Sequence, residues 1–293
     1  TWESFLEGGY RKQQETELFA ELEYSYASKE WYSEVGTQDK AGLKAPESVL
    51  KTLNFGNSKP IVVIFPHIFW DATFFWGADL FENYQEWFVE TLKVAARNKD
   101  VNWVIKIHPA NLIKNQRDKY DGVFSEIEVI RTLFSKTPEH FRILTPDTSI
   151  ATHSLLKVCS HCVTVRGTVG LEAAVMGKIV FTAGTGRYDR KGFTTDFATD
   201  NEYLEALSCI SKHERLPKQN RQLAVLFAYG IFKIRPLILN NFNFHYTTDG
   251  KAELKVNYTQ KQQNGKYMHK DWMQVSDWVQ AEEDDFLVAK FGK

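Results

Sequence analysis

Pro60-Ile61-Val62-Val63-Ile64-Phe65-Pro66 decides the fold. Its five inner residues are all apolar and mostly β-branched, and two prolines bound them. A strand here has no polar face, so it belongs inside a parallel sheet covered on both sides. Downstream, Leu80 to Asn98 reads as a helix and Asn102 to Ile107 as a second strand ending at His108-Pro109. A helix is expected over 116–135, a strand over 141–144, a short helix over 149–157 and a strand over 161–165. Val169 to Met176 reads as a helix, Lys178 to Thr182 as a strand and Asn201 to Lys212 as a helix. Strands alternating with helices through short loops predict an α/β fold: a Rossmann-like parallel sheet with helices on both faces, plus helical extensions.

Three regions are expected: a helical segment or linker over 1–55, a Rossmann-like domain over 56–213, and a helical region over 214–293 that packs on it or on another domain. Leu18, Leu22 and Tyr26 recur at helical spacing in the first region, and a Trp-rich end follows a polar stretch over 247–263 in the last.

Composition narrows the function. The 293 residues are 43% hydrophobic and 14% aromatic, which argues for packed cores and against disorder. Thirty-six basic residues against 37 acidic ones leave a net charge of −1, so no nucleic-acid partner is expected. No apolar run approaches the ~18 residues of a membrane span. Three cysteines, an odd number, fit a reducing compartment. The opening Thr1-Trp2-Glu3-Ser4 has no initiator Met, basic start or apolar stretch, which predicts a piece of a longer protein without a secretory signal. The expected location is the cytoplasm, extending to a peripheral position at the inner face of the cytoplasmic membrane.

In an open parallel sheet, ligands bind beyond the carboxyl ends of the strands. Four such ends are polar: Pro66-His67 through Asp71, Lys106 to Pro109, Arg166 to Gly170, and Ala183 to Tyr188. Arg166-Gly167-Thr168-Val169-Gly170-Leu171-Glu172 is a strand-to-helix turn whose free amides and helix dipole favour an anion. Its glycine spacing fits neither a Walker loop nor the dinucleotide fingerprint. Glu172 is placed for a ribose diol, or simply for the helix dipole. Pro109 stops the strand and leaves His108 at its tip, where a ring nitrogen can donate to a phosphate or cap a loop. Asp71, among aromatics, suits a general base, a nucleophile or a helix cap, with Asp79 in reserve. Cys159-Ser160-His161-Cys162 near His153 lacks a second cysteine pair, so no metal site is expected.

At these residues the sequence resembles the bacterial capsule-synthesis family, which includes the β-Kdo transferases. The resemblance covers roughly residues 60–210. It rests on the ordered set Lys106-Ile107-His108-Pro109, Gly170-Leu171-Glu172-Ala173-Ala174, Gly177-Lys178-Ile179-Val180, Gly186-Arg187-Tyr188 and Lys191-Gly192-Phe193-Thr194-Thr195-Asp196. It implies the nucleotide-binding half of a GT-B glycosyltransferase that is metal-independent, needs no cofactor, and uses a CMP-activated acidic sugar, CMP-Kdo, as donor substrate. It also implies that His108 binds the CMP phosphate, that Gly167, Thr168, Gly170 and Glu172 hold phosphate and ribose, and that Asp71 is the nucleophile of a retaining reaction. Lys106, Pro109, Ser149, Arg166, Arg187, Tyr188 and Thr194 complete the expected donor site. The expected partners are the nucleotide-sugar donor, a glycan or glycolipid acceptor, and a separate acceptor-binding domain or other polysaccharide-assembly proteins. The sequence departs from the family at Asp189-Arg190-Lys191-Gly192-Phe193-Thr194, where an aromatic-glycine stretch is usual. Two alternatives stay open: a sialyltransferase-like enzyme or CDP-polyol phosphotransferase, and a non-catalytic nucleotide-sugar-binding module of a multidomain polymerase.

Overall fold

A computed structural model describes residues 2–28, 42–69, 77–119, 121–236, 242–246, 252–256 and 270–282. Six strands form one parallel sheet: β1 (Ile61–Ile64), β2 (Asn102–Lys106), β3 (Phe141–Leu144), β4 (His161–Thr164), β5 (Ile179–Thr182) and β6 (Thr195–Asp196). Their order is β3-β2-β1-β4-β5-β6. This is the order of a doubly wound nucleotide-binding sheet, with its switch point between β1 and β4. The register pairs Val63 with Val104 on one side and Cys162 on the other. Every residue of β1, β2, β4 and β5 is buried. Successive side chains point to opposite faces, so both faces of the inner sheet are covered.

The first helices are α1 (Trp2–Gly8), α2 (Lys12–Ser28), α3 (Pro46–Leu53) and α4 (Tyr84–Arg97). They are followed by α5 (Ala110–Arg117), α6 (Ser125–Leu133), α7 (Thr152–Val158), α8 (Thr168–Val175), α9 (Asp200–Ser208) and α10 (Lys218–Tyr229). Helix α4 packs against α6 and α9, α8 against α10, α10 against α2, and α3 against α7. Asn83 sets the start of α4, its side chain accepting from Glu86 N–H at 2.9 Å. The α4–α9 contact is tied by polar groups as well: Trp87 Nε1–H donates to Tyr203 Oη at 3.0 Å, and Thr91 Oγ1 lies 2.9 Å from the same oxygen. Leu18, Leu22, Val49 and Leu53 share one apolar core with the sheet and with Val225 and Phe232, so the core runs across residues 55 and 214.

Several elements differ from expectation. The single helix over 116–135 is two, α5 and α6, separated by Lys119 with φ of 53° and by Asp121-Gly122. The two-residue β6 was not foreseen. The helical stretch after Pro217 is α10 followed by a π-helical turn at Gly230–Ile234. Beyond it lie an antiparallel pair, β7 (Phe242–Tyr246) and β8 (Ala252–Val256), and then α11 (Lys270–Ala281). The region over 214–293 is therefore not helical throughout. Among the described residues, no helix is long and apolar enough to cross a membrane.

Candidate functional site

The carboxyl ends of β1, β2 and β4 meet at the switch point. Beyond β1, His67 reaches the turn that follows β4. The Arg166 backbone N–H donates to His67 Nε2 at 3.1 Å, and Thr164 Oγ1 lies 3.3 Å from the same nitrogen. The ring stacks on Tyr84 with centroids 4.4 Å apart and planes 19° from parallel. Burial, with help from the charges of Arg166 and His108, pulls the His67 pKa down to about 3. His67 is thus neutral, and because Nε2 accepts, its proton sits on Nδ1.

Beyond β2, Asn111 N–H donates to His108 O and Leu112 N–H to Pro109 O, so the His-Pro pair opens α5 directly. Proline is tolerated there because a first-turn N–H has no intrahelical partner. His108 Nδ1 accepts from Ala110 N–H at 3.1 Å, which leaves Nε2–H as the ring's donor in its neutral form. The side chain is exposed at the strand tip. Lys106, one residue before the end of the apolar run, is buried, and burial alone draws its pKa down to about 8.

Beyond β4, Gly167 caps α8 without any side-chain hydrogen bond, and its own N–H donates to Thr164 Oγ1 at 3.3 Å. Gly170 N–H donates to Gly167 O at 2.9 Å, and the two amides before it, of Thr168 and Val169, have no intrahelical acceptor. The Arg166 side chain is only 5% exposed and pairs through Nη2 with Asp79, while its guanidinium lies 5.8 Å from the centre of the Tyr84 ring. Its Nε and Nη1 have no hydrogen-bond partner. The described mouth of the sheet therefore holds His67, His108 and Arg166, the last paired with Asp79 and, against the pull of burial, favoured as a cation by the charge of Asp189.

His108 and Arg166 both bear on the charge of His67, with Pro109, Gly167 and Thr168 next to them in the chain, while the Lys106 side chain is buried. Other expected donor-site residues have partners within the fold. Tyr188 donates its hydroxyl to Gly167 O at 2.5 Å from behind the turn, and a Cβ at Gly170 would run into the Tyr188 ring and Val180. Gly170 is thus needed for close packing. Glu172 is 4% exposed and accepts from Tyr26 Oη–H at 2.5 Å, so a ribose diol does not reach its carboxylate while that bond stands. Burial raises the Glu172 pKa to about 7. Thr194 Oγ1 donates to Asp196, which also accepts from Thr182 Oγ1 at 2.5 Å and from Arg190 N–H at 2.9 Å, so Thr194 helps to tie this loop.

Ser149 accepts from Lys44 Nζ at 2.6 Å beyond β3. Arg187 is exposed and lines a cavity of about 270 Å³ with Trp2, Phe5 and Phe227, apart from the switch point. Asp71 lies outside the described residues. His161 has both ring nitrogens engaged, by His213 O at 2.6 Å and Ser160 Oγ at 2.8 Å, so it is unavailable to a metal. Among the described residues no three His, Cys, Asp or Glu side chains converge as metal ligands do.

His67 and Tyr84 are the residues that sequence reasoning missed. The available signal for His67 was the pairing of Pro66-His67 at the end of β1 with His108-Pro109 at the end of β2: two strand ends, each with a histidine beside a proline.

A family model described as capsule polysaccharide biosynthesis protein matches residues 24–209, more than half of the chain. No curated protein sequence matches. Among solved structures, KpsC of Thermosulfurimonas dismutans, a beta Kdo 2,4 transferase, is similar at 12% identity and a TM-score of 0.38, over 74% of this chain and 56% of that one. The glycotransferase of kitacinnamycin is similar at 16% identity and a TM-score of 0.33, over 60% of this chain and 41% of its own. A variant of the wall teichoic acid polymerase TagF is similar at 11% identity and a TM-score of 0.34, over 64% of this chain and 42% of its own. This chain thus spans about half the length of the structures it matches. On the match over residues 24–209, the chain belongs to the capsule polysaccharide biosynthesis protein family.

Proposed function

We propose that this chain is the nucleotide-binding half of a glycosyltransferase that builds bacterial surface polysaccharide, capsule or O-antigen, and that its donor is a CMP-activated acidic sugar, CMP-Kdo. One observation carries the reading: the switch point of a doubly wound sheet is bordered by the exposed His108 at the tip of β2 and by the start of α8 after β4. Family membership supports the same reading.

In transfer, the bond between the anomeric carbon and the phosphate oxygen breaks, and negative charge grows on the departing CMP phosphate. Donors already aimed at that charge lower the barrier without reorganising. In the proposed site His108 supplies an N–H, Lys106 a cation, and α8 its first amides. These groups supply the positive charge a divalent ion would bring, so the proposed reaction runs without a metal. Asp71 is the proposed nucleophile on the opposite side of the anomeric carbon; if configuration is inverted, a carboxylate instead deprotonates the acceptor hydroxyl. The glycan or glycolipid acceptor is proposed to sit on a separate domain, in keeping with the half-length match.

The test is release of CMP from CMP-Kdo by the protein with its acceptor. Activity in wild type that His108→Ala and Asp71→Ala both abolish, with unchanged circular dichroism, supports the proposal. Wild-type turnover in both variants contradicts it. CMP binding without any turnover, acceptor included, would favour the non-catalytic module.

A further inference from the structure

His108 is held by the first turn of the helix that its own Pro109 opens. Ala110 N–H donates to His108 Nδ1 at 3.1 Å, and Asn111 N–H donates to His108 O at 3.2 Å. Two successive amides thus fix the ring and the carbonyl, and the ring moves if that turn moves. A second helix holds the turn. The Asn111 side chain, 7% exposed, donates through Nδ2 to Glu126 Oε1 at 2.8 Å, and Glu126, near the start of α6, is only 2% exposed. Helix α6 is itself seated, with Ile130 in the main core and α4 packed against it.

A buried carboxylate is a costly way to fasten two helices. Burial raises the Glu126 pKa, and the donor from Asn111 offsets part of that penalty. An apolar pair at the two positions would avoid the penalty but would lack direction. The hydrogen bond fixes where Asn111 sits along and around its helix, and with it the two amides that hold His108.

We propose that Glu126, acting through Asn111, is a positioning residue for His108: it sets the first turn of α5 so that the ring keeps Nδ1 on the Ala110 amide and presents Nε2–H at the tip of β2. The proposal rests on the donor reading only for what His108 binds. The coupling of Glu126 to His108 is a matter of geometry.

Amide exchange resolved by NMR tests the coupling without any nucleotide. In Glu126→Ala, the Ala110 and Asn111 amides should exchange at least about tenfold faster than in wild type, while those within β2 keep their wild-type rates. Glu126→Gln, whose amide oxygen still accepts from Asn111, should restore protection to within about threefold. Asn111→Ala breaks the same bond from the other side and should expose the Ala110 amide in the same way. Protection of Ala110 that survives both alanine variants, acceleration shared equally by β2, or a Glu126→Gln variant as exposed as Glu126→Ala overturns the proposal.

With CMP added, a double-mutant cycle reads whether the effect passes through the ring. Glu126→Ala should weaken CMP binding by about fivefold on its own and by less than about twofold in the His108→Ala background, where nothing is left to position. Glu126→Gln should bind CMP within about twofold of wild type. Equal losses in both backgrounds contradict action through His108. If wild type binds no CMP, the donor reading fails, and the exchange rates of Ala110 and Asn111 still decide the coupling.

Discussion

Arg166 and His67 are joined so that the contact fixes the proton of the ring. The backbone N–H of Arg166 donates to His67 Nε2 at 3.1 Å, which places the ring proton on Nδ1 and makes protonation of Nε2 incompatible with the contact. The stack on Tyr84 and the burial that lowers the pKa to about 3 act in the same direction. The turn after β4 is therefore set from the end of β1.

A stability consequence follows for acid. His67 binds a proton more readily unfolded than folded, so stability rises with pH between about 3 and the ordinary histidine value and falls as pH drops through that window. His161, drawn down to about 4 by burial, contributes with the same sign. Denaturant titrations from pH 7 to pH 4 should show His67→Gln losing less stability over the range than wild type. Equal losses would mean that His67 is not neutral in the fold.

The pair Tyr26 and Glu172 predicts the opposite pH trend. Folding raises the Glu172 pKa to about 7, so the fold binds its proton more tightly than the unfolded chain, and stability falls as pH rises from the ordinary glutamate value toward 7. The Tyr26 hydroxyl offsets part of this by donating to the carboxylate. Tyr26→Phe should cost about 1 kcal/mol at pH 5 and about 2–3 kcal/mol at pH 8, where the lost bond is to a charged group. Thermal melts at the two pH values check this; a cost independent of pH would contradict it.

How far the sequence reaches can be argued from particular residues. The inner strands were legible because an unbroken apolar run such as Ile61 to Ile64 has few other places to go. His108 was legible because a proline ends its strand and exposes the tip. The break between α5 and α6 was not, since it turns on a left-handed backbone at Lys119 that a lysine does not advertise. Glu172, Tyr188 and Thr194 each have a partner in the fold that the sequence does not show, because polar side chains near strand ends look alike until their partners are known. The partner of Glu172 is Tyr26, 146 residues away, and that of Tyr188 is a backbone carbonyl 21 residues away.

Gly170 gives a packing prediction. A Cβ there would lie 2.9 Å from Tyr188 Cζ and 3.2 Å from Val180 Cγ1. Gly170→Ala should cost about 1–3 kcal/mol by overpacking and should weaken CMP binding by shifting the α8 turn. Urea denaturation of Gly170→Ala, Tyr188→Phe and the double variant should show a combined cost smaller than the sum, because both changes act on one contact. Strict additivity would place the clash elsewhere.

Lys106 predicts a limit in alkali. It is cationic below about pH 8 and loses its proton above, where its attraction for an anion ends. CMP affinity of wild type should weaken as pH rises from 7.5 to 9. Lys106→Met should bind more weakly at pH 7.5 and vary little over the same range. A variant as pH-dependent as wild type would exclude Lys106 from the anion site.

The most direct test of the central claim is isothermal titration of wild type and His108→Ala with CMP, CDP, UDP and GDP. The account predicts selective binding of CMP by wild type, weakened by at least about tenfold in the variant, as expected when a hydrogen bond to a charged group is lost. Preference for UDP or GDP would contradict the CMP-sugar reading. Binding of none of the four by wild type would contradict the assignment of the switch point as a nucleotide site.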